Sequence, residues 1–297
     1  MSKITTLQIG GEAKDFQVVH TEQELLDLIK NNPEFLIIGG GSNLLVSDKG
    51  VDKLVIQNKI TGIVQNVNIL TVKSGTILQN LVDYSIAHGL AGLQKLTGIP
   101  GTVGGAVFGS AGAYGQSISD NIISVVVLSE RSESKDLSKD ECGFGYRDSI
   151  FKKNHDIILE VTFQLQPGNP KTLAQEAKEI LAKRLVKYPK GIKCPGSFFK
   201  NIVADTLPKE ILEKIPTGKI VYGKLPAGSL LEEVGAKGAK LDGIEIAGYH
   251  ANLFINKGGG TAKAFYDLAR KYALAVKQKF GITLEPEVQL INLPPIA

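Results

Sequence analysis

The sequence predicts a mixed α+β protein of two or three domains, and three observations carry that reading. Its 297 residues exceed what a single hydrophobic core usually serves. Stretches with helical periodicity share the chain with β-type apolar runs. The two kinds of element do not alternate regularly enough for a Rossmann sheet or a βα-barrel.

The elements follow in chain order. Thr21-Glu22-Gln23-Glu24 fits a capping box, in which Thr21 and Glu24 satisfy each other's backbone N–H groups. The helix it opens carries Leu25, Leu26, Leu28 and Ile29 and stops before Pro33. Phe35-Leu36-Ile37-Ile38 reads as a buried strand, and Leu44-Leu45-Val46 as another after a glycine loop. Ile69 to Ser74 is a strand, and Ile77 to His88 a helix stopped by Gly89. Ile122 to Leu128 and Ile157 to Leu165 are strands. Pro167-Gly168-Asn169-Pro170 breaks the pattern and marks the expected domain boundary. Helices follow over 172–187 and 262–280, the second closed by Gly281. The chain then alternates, with Ile282, Leu284, Val288 and Leu290 on one face and Thr283, Glu285, Glu287 and Gln289 on the other, as a strand requires.

Composition excludes several classes. Hydrophobic residues make up 43% and charged residues 22%, an ordinary globular balance. No apolar run reaches membrane-span length, and the start, Met1-Ser2-Lys3-Ile4-Thr5-Thr6, lacks the apolar core of a signal peptide. The expected location is therefore cytoplasmic. A net charge of +4, from 34 basic and 30 acidic residues, is too mild and dispersed for a nucleic-acid binder but suits a small anionic ligand. Cys142 and Cys194 form neither a metal-spaced cluster nor a disulfide framework, and the four histidines are scattered, so no metal is expected.

The 33 glycines are clustered, and glycine serves where φ is positive or where something lies close against the backbone. Gly39-Gly40-Gly41-Ser42-Asn43 sits between two apolar strands. Its N–H groups suit an anion-binding nest, although such a triplet on its own reads first as a tight turn. The dinucleotide fingerprint is not met, because a strand rather than a helix follows. A second stretch, Gly98 to Gly115, carries no charge. Its small residues, Gly98, Gly101, Thr102, Gly104, Gly105, Ala111, Gly112 and Ala113 among them, suit backbone lying against an extended ligand with N–H groups aimed at phosphates. Close packing of two elements is the competing reading. Two such loops together favour a nucleotide cofactor.

At these residues the sequence resembles the UDP-N-acetylenolpyruvoylglucosamine reductases (UDP-N-acetylmuramate dehydrogenases). The resemblance runs from Thr5-Thr6-Leu7-Gln8-Ile9-Gly10-Gly11 to Leu284-Glu285-Pro286-Glu287-Val288. It includes both glycine loops, Tyr146-Arg147-Asp148-Ser149, Gly196-Ser197-Phe198-Phe199-Lys200-Asn201 and His250-Ala251-Asn252. The glycine loops occur across FAD proteins of this fold, whereas the other motifs together are specific to the reductase.

The resemblance implies a two-subdomain FAD-binding fold of the vanillyl-alcohol-oxidase/PCMH type, with subdomains at 1–60 and 61–168, and a C-terminal α+β domain at 169–297 for the UDP-sugar. It implies non-covalent FAD, with the pyrophosphate on Gly39, Gly40, Gly41, Ser42, Asn43 and the second loop. It also implies NADPH as hydride donor, taking turns with the substrate at the flavin. The stretch between Leu165 and Ser197 has room for one helix and a turn, which matches the form of the family without an extra tyrosine-bearing loop. The implied role is peptidoglycan precursor synthesis, hence cell-wall biogenesis, cell shape, the cell cycle and cell division. The implied partner is UDP-N-acetylenolpyruvoylglucosamine alone, with a monomer as the simplest state.

In the reaction so implied, hydride adds to C3 of an enol ether and a proton to C2, through an enolate spread into the carboxylate. Such chemistry needs charge on the carboxylate and a proton donor. By resemblance Ser197 is the donor, Arg147 the cation on the carboxylate and Glu287 the glutamate beside the reacting group. Read alone, Ser197 is a turn residue, Arg147 a surface ion pair and Glu287 a solvent-facing carboxylate. Tyr146, Asn201, Lys187, Lys237 and His250 are further substrate candidates, the lysines matching positions near the diphosphate. There are departures. Ser110 stands where asparagine is common, Ile202 where proline is, Gln289 where arginine is, and Cys194-Pro195 precedes Gly196. Two alternatives stay open: an FAD-linked oxidase of the same cofactor fold, and a non-catalytic nucleotide binder. Neither needs Arg147, Ser197 and Glu287 together.

Overall fold

A computed structural model describes residues 1–129, 133–213, 215 and 218–296. The chain packs as two compact units and passes between them after Lys14, Gly40, Asp52 and Lys190. The central unit holds Asp15–Gly40 and Lys53–Lys190; the terminal unit holds Met1–Lys14, Gly41–Asp52 and Gly191–Ala297.

The central unit is built on a five-stranded antiparallel sheet, in the order Ser134–Ser138, Ile122–Leu128, Ile157–Gln164, Ile69–Lys73, Ile63–Asn66. Register brings Val125 opposite Val161 and Val161 opposite Val72, a row of buried β-branched side chains across three strands. The helices Leu78–Ala87 and Val103–Phe108 cover this face and complete one core. A second core gathers Val19, Leu25, Leu54, Ile56 and Ile60 beneath the helix Glu22–Asn31. Phe35–Ile38 runs parallel to Val51–Asn58 beside it. The capping box forms as expected: Glu24 N–H donates to Thr21 Oγ1 at 3.1 Å, and the Glu24 carboxylate accepts from the Thr21 N–H at 3.2 Å.

The turn at Pro167–Pro170 does not end the unit. Gly168 N–H donates to the Gly89 carbonyl at 2.7 Å, and a Cβ on Gly89 (φ +66°) would stand 2.9 Å from the Gly168 carbonyl oxygen. Asn169 then caps the helix Pro170–Lys187, accepting from the Lys171 and Thr172 N–H groups, with Pro170 in the first turn. The residues that look like a break are thus a helix start, and the unit continues to Lys190.

The terminal unit centres on four rings, Phe198, Phe199, Phe254 and Phe265, with centroids 4.7 to 6.3 Å apart. Edge and tilted contacts of this kind add to the apolar area they bury. The helix Ala262–Phe280 packs on the cluster. Its first turn is held by Thr261 Oγ1 and by the Asp48 carboxylate, which accepts from the Ala262 and Lys263 N–H groups. Gly281, at φ +74°, closes it.

The alternation from Ile282 to Leu290 is only partly a strand. Ile282, Leu284 and Val288 are buried and Thr283 and Glu285 exposed, as the pattern requires. A ladder forms only at Gln289–Ile291, parallel to Leu44–Val46. Upstream, Pro286 has no N–H to give a ladder. The segment instead bonds the serine motif: Lys200 N–H to the Glu285 carbonyl at 2.9 Å and Glu287 N–H to the Phe198 carbonyl at 2.7 Å. Glu287 therefore lies in an extended stretch ahead of the strand.

Candidate functional site

In the central unit Gly39 and Gly40 leave the strand Phe35–Ile38 and lie against Gly101 and Thr102. A Cβ on Gly40 would stand 2.9 Å from the Gly101 Cα, and one on Gly39 would strike the Thr102 hydroxyl. The Gly39 carbonyl accepts from Gln57 Nε2 at 3.2 Å. The next two carbonyls, Gly41 and Ser42, accept from Thr6, at 3.2 and 3.3 Å. With carbonyls turned inward, the N–H groups of Gly40 and Gly41 meet no acceptor among the described residues. That is the disposition of an anion nest. Asn43 turns its side chain on the protein, donating from Nδ2 to the Glu287 carbonyl at 3.0 Å.

The second loop divides into parts with different reasons for being small. Thr102 caps the helix Val103–Phe108 by accepting from the Gly105 N–H at 3.3 Å. Val103 and Gly104 N–H groups go to the Thr76 and Ser74 carbonyls, both at 2.8 Å. The amides of residues 103 to 105 are therefore spent inside the protein rather than held ready for phosphates. A Cβ on Gly104 would stand 2.8 Å from Ser74 Cβ, so packing demands that glycine. Gly112–Ala113 pairs with Gln116–Ser117 across a tight turn, with Tyr114 at φ 52° and Gly115 at φ 80°. The Ala111 N–H donates to the Ala106 carbonyl at 2.8 Å, and a Cβ on Gly112 would stand 2.6 Å from the Gln116 carbonyl oxygen. Ala111, Gly112 and Ala113 thus serve a hairpin. Gly105 is different. It is exposed, and a Cβ there would meet only Thr102 Oγ1, at an unstrained 3.5 Å. Glycine costs a helix about 1 kcal/mol relative to alanine, and nothing in the protein requires it here.

Tyr146 and Arg147 occupy the centre of a turn in which Gly145 and Asp148 exchange N–H···O bonds of 3.0 and 3.3 Å. Arg147 takes φ 55°, a left-handed conformation costing on the order of 1 kcal/mol. Ser149, fully buried, anchors the turn by donating to the Phe108 carbonyl at 2.7 Å. The guanidinium lies 5.5 Å from the Tyr146 ring centre and donates to the Ser110 and Gly112 carbonyls at 3.3 and 2.7 Å. Ser110 itself sits at φ 42°, a region asparagine enters more readily than serine.

Sequence reasoning missed Arg184. Its Nε and Cδ lie 3.3 Å from where a Gly98 Cβ would stand, and its guanidinium 5.4 Å from the Tyr188 ring centre. Burial holds its pKa below the usual arginine value. Its Nε is buried with no hydrogen-bond partner, and it makes no ion pair among the described residues. An unsatisfied buried donor costs about 1–3 kcal/mol, so the position points to an acceptor from outside the chain. No pattern in the sequence separates it from the other basic residues of its helix. Lys187, three residues on, is half-buried with its ammonium 5.2 Å from the same ring.

In the terminal unit the structure brings Ser197 and Glu287 onto neighbouring extended segments. Ser197 pairs with Leu253 on one side, and the Phe198 carbonyl takes the Glu287 N–H on the other. Both side chains are half-buried. Asn201, four residues on, accepts from the Ala227 N–H through Oδ1 at 3.2 Å. His250 Nδ1 accepts from the Asn252 N–H at 3.2 Å, which leaves the ring proton on Nε2. Lys237 is exposed and pairs with Glu232, whose pKa it lowers.

The central unit thus fits an elongated anionic cofactor: the Gly40 N–H meets no acceptor among the described residues, Gly105 has an open flank, and the Nε of Arg184 is buried on the helix beside Gly98. Among the described residues no cluster of His, Cys, Asp and Glu could hold a metal ion, and no helix is long and apolar enough to cross a membrane.

Comparison with known proteins agrees. Residues 17–138 match the FAD binding domain family, and residues 188–291 match the C-terminal domain of UDP-N-acetylenolpyruvoylglucosamine reductase. A reductase of that name from Solibacter usitatus is 37% identical over 98% of this chain and 95% of its own length. One from Lactobacillus acidophilus is 34% identical over 98% of this chain and 93% of its own. The crystal structure of the Thermus caldophilus reductase superimposes with a TM-score of 0.78 at 30% identity, covering 98% of this chain and 96% of the other.

Proposed function

The chain belongs to the UDP-N-acetylenolpyruvoylglucosamine reductase family, and on that premise we propose that Ser197, Arg147 and Glu287 are its catalytic residues. It is an FAD-dependent reductase that converts UDP-N-acetylenolpyruvoylglucosamine to UDP-N-acetylmuramate with NADPH, a step of peptidoglycan precursor synthesis. The oxidase reading is not favoured, because relatives covering nearly the whole chain carry the reductase name. The sequence expectation of FAD-binding parts at 1–60 and 61–168 and a UDP-sugar part at 169–297 is adjusted to the fold: FAD is served mainly by the central unit, which continues to Lys190, and the UDP-sugar by Gly191–Ala297. The protein works as a monomer in the cytoplasm, in support of cell shape, the cell cycle and division.

When bound, FAD supplies the group that takes hydride from NADPH and returns it to C3 of the enolpyruvyl carbon pair. Gly39, Gly40, Gly41, Ser42 and Asn43 hold it together with the stretch carrying Gly98, Gly101, Thr102, Gly104, Gly105, Ala111, Gly112 and Ala113, and we add Arg184. Arg147 holds the substrate carboxylate and stabilises the enolate charge, a task suited to a permanently charged fork. Ser197 gives its hydroxyl proton to C2, and Glu287 lies beside that proton's path. Tyr146, Asn201, Lys187, Lys237 and His250 contact the remainder of the substrate.

The observation that carries the pairing of roles is the 2.7 Å bond from the Glu287 N–H to the carbonyl of Phe198, the residue after Ser197. The test is anaerobic reduction by NADPH followed by addition of substrate. Ser197→Ala is expected to be reduced normally and to reoxidise at least about 100-fold more slowly. Reoxidation at the wild-type rate would remove Ser197 from the role.

A further inference from the structure

The segment carrying Ser197 is held by a side chain acting as a strand. Phe198 and Phe199 are fully buried, so their peptide groups have no water to bond. The Phe198 N–H donates to the Asn252 carbonyl at 3.0 Å, and its carbonyl accepts from Glu287. Phe199 bridges Pro286, which has no N–H to offer its carbonyl. Asn252, itself buried, closes the gap with its amide: Oδ1 accepts from the Phe199 N–H and Nδ2 donates to the Phe199 carbonyl, both at 2.8 Å. One side chain thereby satisfies the donor and the acceptor of one residue. The Asn252 N–H is in turn fixed on His250 Nδ1.

We propose that Asn252 is the positioning residue for Ser197, holding the serine backbone at the register from which its hydroxyl meets C2 of the substrate. The proposal rests on the reading of Ser197 as proton donor. The physical case is that of a lever. Backbone bonds to Glu285 and Glu287 hold the peptides on either side of Phe199, and the Asn252 amide holds the N–H and carbonyl of Phe199 itself. Alanine at 252 leaves a buried N–H and a buried carbonyl unmatched, and the segment then moves to find partners. A displacement of about 1 Å at a reacting group can cost about 100-fold in rate.

The experiment is stopped-flow on the FAD-loaded enzyme, in both half-reactions, with Asn252→Ala, Ser197→Ala and the double variant. Asn252→Ala is expected to be reduced by NADPH at the wild-type rate and to be reoxidised by UDP-N-acetylenolpyruvoylglucosamine 10- to 100-fold more slowly, with a solvent deuterium effect on the slow step. The double variant is expected to be no slower than Ser197→Ala, because a residue acting only through Ser197 has nothing to act on once the hydroxyl is gone. Losses that multiply in the double variant, equal slowing of both half-reactions, or unchanged reoxidation in Asn252→Ala would each overturn the proposal. If Ser197→Ala alone reoxidises normally, the proton-donor reading fails first and the proposal with it. Should Asn252→Ala not fold, Asn252→Asp keeps the acceptor for the Phe199 N–H while losing the donor to its carbonyl. It is held to the same pattern.

Discussion

Gly40 and Gly105 belong to the same loop system, yet they answer to different neighbours. Gly40 is small because the protein comes too close, with Gly101 filling the place a side chain would need. Gly105 is small although the protein leaves room. The two arginines divide in the same way: Arg147 is anchored on the Ser110 and Gly112 carbonyls through its terminal nitrogens, whereas the Arg184 guanidinium makes no hydrogen bond or ion pair among the described residues. A residue explained by the fold speaks about stability. A residue the fold leaves unexplained speaks about what binds.

Substitutions can break that distinction. Gly40→Ala is expected to destabilise the protein by about 3 kcal/mol, through overpacking against backbone, with a matching fall in the urea midpoint whether or not FAD is present. Arg184→Met should do the reverse. Urea unfolding of the free protein should be unchanged or shifted upward, since an unsatisfied buried cation is removed. FAD titrated by fluorescence should bind about 30-fold more weakly, which is about 2 kcal/mol. Equal affinity for FAD would show that the orphaned donor has no ligand partner there. Gly105→Ala sits between the two readings: the free protein should gain up to about 1 kcal/mol from helix propensity, while FAD affinity falls about 10-fold. If affinity is unchanged, no ligand lies against that flank. The smallest effect is expected for Gly115→Asn. Its φ of +80° suits asparagine and no atom crowds it, so thermal unfolding should register a loss below about 1 kcal/mol and FAD binding none.

Much of the fold was legible because it is local. The Thr21–Glu24 capping box and the helix over 262–280 depend on residues within one or two turns, and the structure returns both. What depends on distant partners was not legible. Pro167–Pro170 resembles a boundary until Gly89 is seen docked on it. The strand over 282–290 shrinks to three residues because its partner upstream is the Phe198–Lys200 segment, some ninety residues earlier in the chain. The site divides similarly. The motifs containing Ser197 and Arg147 are continuous and could be read from residue order. Arg184 and Asn252 matter through burial and unshared hydrogen bonds, which residue order does not display. Most small residues of the uncharged stretch 98–115 also serve a cap, a packed strand end and a hairpin, roles that residue order does not display.

The path of the chain between its two units has a consequence for how the protein is made. The segments 1–14 and 41–52 leave the ribosome early, yet their packing partners lie in 191–297. Leu7 and Leu45 belong to the core around Phe198 and Phe265, and Thr6 Oγ1 bonds the Cys194 carbonyl at 2.9 Å. The central unit has all its residues once Lys190 is made, so it can close while segments 1–14 and 41–52 still wait for 191–297. For that interval two apolar segments stand without a core, and protection of nascent chains by chaperones counts most there. Segments made before the central unit is complete are thus buried only after it.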